Sequence, residues 1–506
     1  MTSRAHAAAV ELDDVQGLVR FGYKHHKEAC LLLLRVKERE AARAWLHAVP
    51  VASAATIEPP PETVLQVALS SEGLCALGVA PDIVEGFAAE FVSGMSGDAN
   101  RARRLGDVGA NEAGRWQWGA GQRVPHVLVL LYALPGRLPA WQRSIEAQCG
   151  AGFEQLACLS TSDMGDFEPF GFMDGISQPK LDWERQRPVR DEDQLAYSNL
   201  SCLGEFLLGY PNEYGGYTDR PLLDPQRDAH AMLPRAEDIP DKADLGRNGS
   251  YLVMRQLRQD VRGFWQFADR QAGGNPGLRE RLAEAMVGRT LHGLPLVGQS
   301  NEVITGGAAA PKPDLNVFTY DSDPQGVRCP LGAHVRRTNP RNADLPPGEA
   351  GIVARLIRTL GFDEEALDRD LVASTRFHRL LRRGREYGEA VSLSQALTGA
   401  PTDALPGSGV GLHFICLNAN IARQFEFVQS AWVMGTKFDG LPDESDPLLG
   451  TRMPTPDGTR TDGFSMPQPD GPDQRIAELP QFVTVLGGGY FFLPGIRALR
   501  YLATTR

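Results

Sequence analysis

The chain has 506 residues, and Asp plus Glu (63) outnumber Lys plus Arg (52), giving 52 − 63 = −11 with histidine neutral. That balance excludes a protein that coats nucleic acid through a basic surface. Apolar residues at 42% and charged residues at 23% exclude a disordered chain and supply a large core.

The first fourteen residues, MTSRAHAAAVELDD, contain no apolar block of signal-peptide length and no twin arginine, which predicts a flexible tail over 1–14 and a cytoplasmic protein. From there Ala29 to Val36 reads as a buried strand, KEREAARAWLHAV as an amphipathic helix, Thr63 to Leu69 as a strand, the stretch from Ser71 as a helix and His126 to Ala133 as a strand. The run Val127 to Leu134 is among the longest apolar ones, far short of the ~20 residues of a membrane-spanning helix. Later in the chain, Gly411 to Asn418 reads as a strand, Ile421 to Val433 as a helix, and Gln481 to Leu486 with Gly489 to Leu493 as more strand. Two α+β halves of similar layout are expected on this pattern. The stretches 221–250 and 436–475 read as loop insertions without regular elements, the second holding seven prolines. Such loops either cover a site or are bland surface. Seven cysteines (Cys30, Cys75, Cys149, Cys158, Cys202, Cys329, Cys416) are scattered without a CxxC pair; this argues against a disulfide framework and a structural zinc site.

Three segments carry candidate chemistry. In GFMDGISQP (171–179), two glycines flank Asp174, so its carboxylate either sits over a flat ligand or belongs to a simple Asp-Gly turn. In CPLGAHVRRTNPR (329–341), His334 lies in a small apolar stretch before a group of arginines. It is either a metal ligand beside anion-binding arginines or a structural histidine, with the Cys329 thiolate as a rival ligand. The stretch 376–385 has five arginines in ten residues. Most would form a solvated face; on an extended strand His378, Leu380 and Arg382 share one side, so one arginine can enter a pocket.

Together these segments resemble the dye-decolourising haem peroxidases. GFMDGISQP looks like their GxxDG signature, CPLGAHVRRTNPR is similar to their proximal-histidine segment, and RLLRRGREYG (379–388) resembles their distal-arginine segment, in the same chain order. Further likeness lies in VQGLVRFGYKHHKEACLLLLRV, GSYLVMRQLRQDVRGFW and QFEFVQSAWV, so the resemblance spans roughly 15 to 500. It implies an α+β fold of two ferredoxin-like domains (dimeric α+β barrel type) with antiparallel sheets, one over 15–220 with the GxxDG segment near its end and a haem-binding one over 221–506. It also implies haem b (iron protoporphyrin IX) held by His334, Asp174 and Arg382 as catalytic residues, and Arg336 or, by preference, Arg337 at a haem propionate. The implied activity is reduction of hydrogen peroxide, through a ferryl intermediate, with oxidation of small organic donors such as dyes and phenols. No nucleic-acid or membrane partner is expected, and homo-oligomer formation is left open.

This chain departs from the family pattern at Glu386, where proline is expected, and in lacking a carboxylate that aligns as the partner of His334; Glu426 and Asn420 are the candidates. Tyr387 and Trp432 could pass electrons to the surface or simply fill the core. The alternative function is a haem carrier or sensor without peroxidase turnover, which would have no use for Asp174 and Arg382 together. A chlorite-decomposing haem protein, a more distant alternative by fold analogy, should not need Asp174.

Overall fold

The computed structural model describes residues 9–186, 198–297, 315–341, 374–399 and 409–504, apart from residue 456. Four strands build the first half: β1 (Glu28–Val36), β2 (Thr63–Leu69), β3 (Val127–Ala133) and β4 (Phe153–Ser160). Helix α1 (Arg39–Ala48) connects β1 to the region before β2, and α2 (Leu138–Cys149) connects β3 to β4. All pairings are antiparallel and the order is β4-β1-β3-β2, the ferredoxin-like arrangement.

The second half repeats it. Strand β5 (Ser250–Gln259) is followed by α3 (Val261–Gln271), α4 (Pro276–Val287) and the short α5 (His334–Thr338). Then come β6 (Leu381–Arg382), β7 (Arg385–Tyr387), β8 (Gly411–Asn418), β9 (Val483–Leu493) and α6 (Ile496–Thr504). Strands β6 and β7 pair with β8, β8 with β5 and β5 with β9. Phe492 of β9 pairs with Leu69 of β2, which fuses the halves into one nine-stranded sheet. The sheet's ends approach each other: Ser162 N donates to Glu386 O at 2.8 Å, and His413 Nε2 donates to Ser160 O at 3.0 Å. No ladder joins β4 to β7 among the described residues, so the barrel is not closed.

Apolar runs such as CLLLLRV arise because both faces of the sheet are covered. Cys30, Leu32 and Leu34 face the helices with Ala42, Trp45 and Leu46, while Ala29, Leu31 and Leu33 face the inside with Leu128, Leu130, Phe491 and Leu493. Each fully buried Leu contributes about 1.5–3 kcal/mol of transfer free energy.

Three sequence expectations need correction. The segment read as a helix over Ile421 to Val433 is π-helical at Ala422–Glu426 and Val428–Val433, with Glu426 N donating to Ile421 O and Met434 N to Gln429 O. The insertions contain regular elements: Leu222–Leu223 pairs with Ala243–Asp244, and Phe464–Met466 pairs with Gln474–Ile476. Asp14, placed at the end of a flexible tail, is buried and accepts hydrogen bonds from Asn248 Nδ2 (2.7 Å) and Arg497 N (2.7 Å). Residues 1–8 of that tail lie outside the described residues. No helix among the described residues is long and apolar enough to cross a membrane.

Candidate active site

Asp174, His334 and Arg382, far apart in sequence, line one cavity whose other walls include Phe425, Val428 and Leu448. Asp174 sits on the loop after β4. Gly171 and Gly175 on either side have φ of +91° and +73°, a region that L side chains disfavour. The loop is tied down by Met173 N donating to Leu291 O (3.0 Å) and Asp174 N to Asp166 O (2.8 Å).

Arg382, in the two-residue strand β6, spans the gap to that loop. Its Nη1 donates to Asp174 Oδ1 at 3.1 Å and its Nη2 to Ser177 O at 3.1 Å. The Gln178 side chain bonds both the N–H and the C=O of Arg382, at 3.1 and 3.2 Å. Burial alone pushes the Asp174 carboxyl up, but the Arg382 charge, the Gly175 N–H and Lys24 outweigh it and hold the group below its ordinary value. Asp174 is therefore a carboxylate at neutral pH, beside a fixed cation.

His334 opens α5, with Nδ1 donating to Asp446 Oδ2 at 2.9 Å. Asp446 is fully buried, and its Oδ1 accepts from Leu448 N and Leu449 N at 2.9 and 2.8 Å. Burial raises its pKa, but His334, Arg337 and the backbone donors reverse the sign, so it stays ionised. The imidazole's Nε2 is left with the lone pair. Asp446 is the partner that sequence reasoning missed. The expected candidates are used elsewhere: Glu426 pairs with Arg101 (2.7 Å) and accepts from Tyr490 OH (2.9 Å), and Asn420 Oδ1 accepts from Arg423 N (2.8 Å). A signal was present, since Asp-Pro-Leu-Leu is the composition of a side-chain-stabilised turn.

The propionate expectation also needs correction. Arg337 is fully buried, does not line the cavity, and donates to the carbonyls of Gly332, Trp432, Gly435 and Glu444. Arg336 is likewise held by the carbonyls of Asp323 and Cys329. A cavity-lining cation that sequence reasoning overlooked is Arg289. It follows the α4 C-cap Gly288, and its Nη1 donates to Gly293 O and Leu315 O. Among the described residues, its Nη2 is buried without a hydrogen-bond partner. Burial and the charges of Arg341 and Arg382 push its pKa down to about 10, so it stays charged and in want of an anion. Cys329 is buried outside the cavity lining, so its sulfur does not face the space that His334 faces, and burial pushes its thiol up to about 12.

Other positions behave as packing. Tyr387 is buried with its hydroxyl on Leu257 O (3.1 Å); Trp432 lines the cavity but is also buried. His378 lines the cavity beside Leu380 and Arg382, its Nδ1 held by Arg423 O and its ring stacked on Phe427 at 3.6 Å. Burial pushes its pKa down to about 4, so it is neutral. Glu168, also in the wall, accepts from Gln259 Nε2 (2.8 Å), and burial raises its pKa to about 8.

The donor set fits an iron porphyrin. It offers the Asp446-backed imidazole nitrogen of His334 for iron, apolar walls for a flat ring, and, among the described residues, an unpartnered Arg289 nitrogen for a carboxylate at the ring's edge. An imidazole backed by a carboxylate, in one cavity with an aspartate–arginine pair, defines the class: a peroxidase.

The comparisons with known proteins agree. The chain is 31% identical over 454 residues to the multifunctional dye peroxidase DyP2 of an Amycolatopsis species, covering 87% of this chain and 82% of that one. It is 26% identical to the dye-decolorizing peroxidase msp1 of Mycetinis scorodonius, covering 98% and 88%. Among solved structures, a fungal DyP-type peroxidase from Auricularia auricula-judae superposes with a TM-score of 0.71 at 24% identity, over 98% of this chain and all of that one. A dye-decolorizing peroxidase in complex with 2,6-dimethoxyphenol gives 0.69 at 23%. No family model matches. The chain belongs to the dye-decolourising peroxidase family.

Proposed function

We propose that the cavity holds one haem b with His334 Nε2 as the iron ligand, and that the enzyme oxidises dyes and phenols with hydrogen peroxide. The observation that carries this reading is the buried Asp446 behind His334, in the same cavity as the Asp174–Arg382 pair. The phenol in the complex of a structural relative supports the donor class.

When bound, haem supplies the electron transfer that side chains cannot. Everything else falls to the chain. Asp446 fixes the His334 tautomer and raises the basicity of Nε2. Arg289, with its unpartnered Nη2, would neutralise a carboxylate at the ring's edge. Asp174 takes a proton from peroxide and returns it to the departing oxygen as water forms, which is general acid–base catalysis. Arg382 keeps Asp174 ionised and stabilises the negative charge that grows on the departing oxygen. We place the protein in the reducing cytoplasm; its seven free cysteines support that location.

Absorbance spectra of the haem-loaded protein test the ligand. His334→Ala should lose the haem or its histidine-type Soret band, whereas Cys329→Ser and His378→Ala should keep it. Loss of the native band in either of the latter alone would overturn the assignment.

A further inference from the structure

Away from the cavity, β1 and β4 bring two cysteines together on the helix-facing side of the sheet. Leu32 pairs with Cys158 and Cys30 with Ser160, so Cys30 and Cys158 are diagonal neighbours. Gln142 Nε2 of α2 donates to Cys158 Sγ at 3.4 Å. Cys30 is buried while Cys158 is exposed. One sulfur is thus open to solvent with the Gln142 amide aimed at it, and the other is shielded behind it.

We propose that Cys30 and Cys158 form a peroxide-reactive pair, with Cys158 as the attacking thiol and Cys30 as the resolving one. The Cys158 thiolate attacks one oxygen of hydrogen peroxide: an S–O bond forms, the O–O bond breaks, and the leaving hydroxide departs as water with the proton that the thiol gave up. Cys30 then attacks the sulfenic sulfur: an S–S bond forms, the S–O bond breaks, and the second oxygen leaves as water. Two thiols lose two electrons and two protons, and one peroxide becomes two waters.

The electrostatics favour this order of attack. The neighbouring Cys30 thiol holds Cys158 below its ordinary value despite burial and Glu146, while Cys158 and burial push Cys30 up. Diagonal strand neighbours stand roughly 7–8 Å apart at Cα, and a disulfide needs about 4.4–6.8 Å. Strand β4 must therefore slide slightly. It is the terminal strand of the sheet, and its ladder with β1 already shifts register between Leu33 and Leu34. The pair would record excess of the substrate that the haem site consumes.

The test is mass-spectrometric peptide mapping of the haem-loaded enzyme after a brief excess of hydrogen peroxide, with free thiols alkylated in denaturant. Two of the seven thiols should disappear as a Cys30–Cys158 cross-link that dithiothreitol reverses. Cys158 should react about tenfold faster than Cys75, the other exposed cysteine. Cys30→Ser should leave a sulfenic acid at Cys158 that dimedone traps, and Cys158→Ser should leave Cys30 reduced. A Cys149–Cys158 link, direct over-oxidation of Cys158 in the unsubstituted enzyme, or reaction no faster than Cys75 would each overturn the proposal. None of these readouts depends on turnover, so failure here is distinguishable from failure of the haem assignment.

Discussion

At the scale of single residues, the Asp174–Arg382 pair makes the sharpest claims. Asp174→Asn should keep haem yet react with peroxide ~10²–10⁴-fold more slowly, since it loses a proton-transfer group. Arg382→Leu should cost ~10²–10³-fold, the scale of a lost charge stabiliser. Stopped-flow mixing with peroxide reads both, and the double variant should be less impaired than the product of the singles. Arg382 also lowers the Asp174 pKa. Asp174 in the intact enzyme therefore stays ionised as pH falls through the ordinary carboxylate value, ~4, and protonates only below it. Arg382→Leu should move the acid limb of the pH–rate profile upward; an unmoved limb would mean that Asp174 is not the titrating base. A second contrast separates the two arginines. Arg289→Leu should weaken haem retention and cost less stability than Arg337→Leu, since it strips the donor from two carbonyls rather than four. Arg337→Leu should destabilise the fold more, because each buried carbonyl left without its donor costs ~1–3 kcal/mol.

At the scale of elements, the proline-rich stretch over 436–475 is part of the site. It carries Asp446, and Arg452 holds the turn by donating to Asp446 O (3.1 Å), Pro447 O (2.7 Å) and Ser445 Oγ (3.1 Å). Asp446 accepts N–H donors on both oxygens. An asparagine there must turn its NH₂ toward His334 or toward the Leu448 and Leu449 amides, and the first choice forces the His334 proton onto Nε2. Asp446→Asn should therefore lower haem affinity or activity ~10–100-fold while the apo-protein's melting temperature changes little. Unaltered haem binding and peroxide kinetics would show that this carboxylate does not tune the ligand. The π-helical segment acts at the same scale. Its i→i−5 bonds widen the turns that present Phe425, Val428 and Val433 to the cavity, and such widening recurs at functional sites.

At the scale of the whole molecule, one sheet runs through both halves, and the cavity draws on both. Asp174 follows the last strand of the first half, whereas His334, Arg382 and Asp446 come from the second. Haem should therefore stabilise the fold in proportion to the logarithm of free haem over its dissociation constant, about 2.7 kcal/mol at a hundredfold excess, and raise the melting temperature accordingly. A melting temperature independent of haem would contradict binding at this site. Thiol titration of denatured, unreduced and peroxide-free protein should find all seven cysteines; recovery of one or three would place the protein in an oxidising compartment.

The amino-acid sequence by itself determined the α+β character and several strands, because strands buried on both faces leave apolar runs; the antiparallel pairing followed from the family resemblance. It also singled out Asp174, His334 and Arg382, since short glycine-flanked or arginine-rich motifs survive as local patterns. Strand β4 escaped notice because it is an edge strand with several exposed positions, in FEQLACLS. Only the tertiary structure decided that Asp446, 112 residues beyond His334, is its partner, that Arg337 is spent on backbone carbonyls, and that Arg289 faces the cavity with an unpaired nitrogen. Hydrogen-bond satisfaction of a buried charge is set by which distant segments fold against it, and no local pattern encodes that.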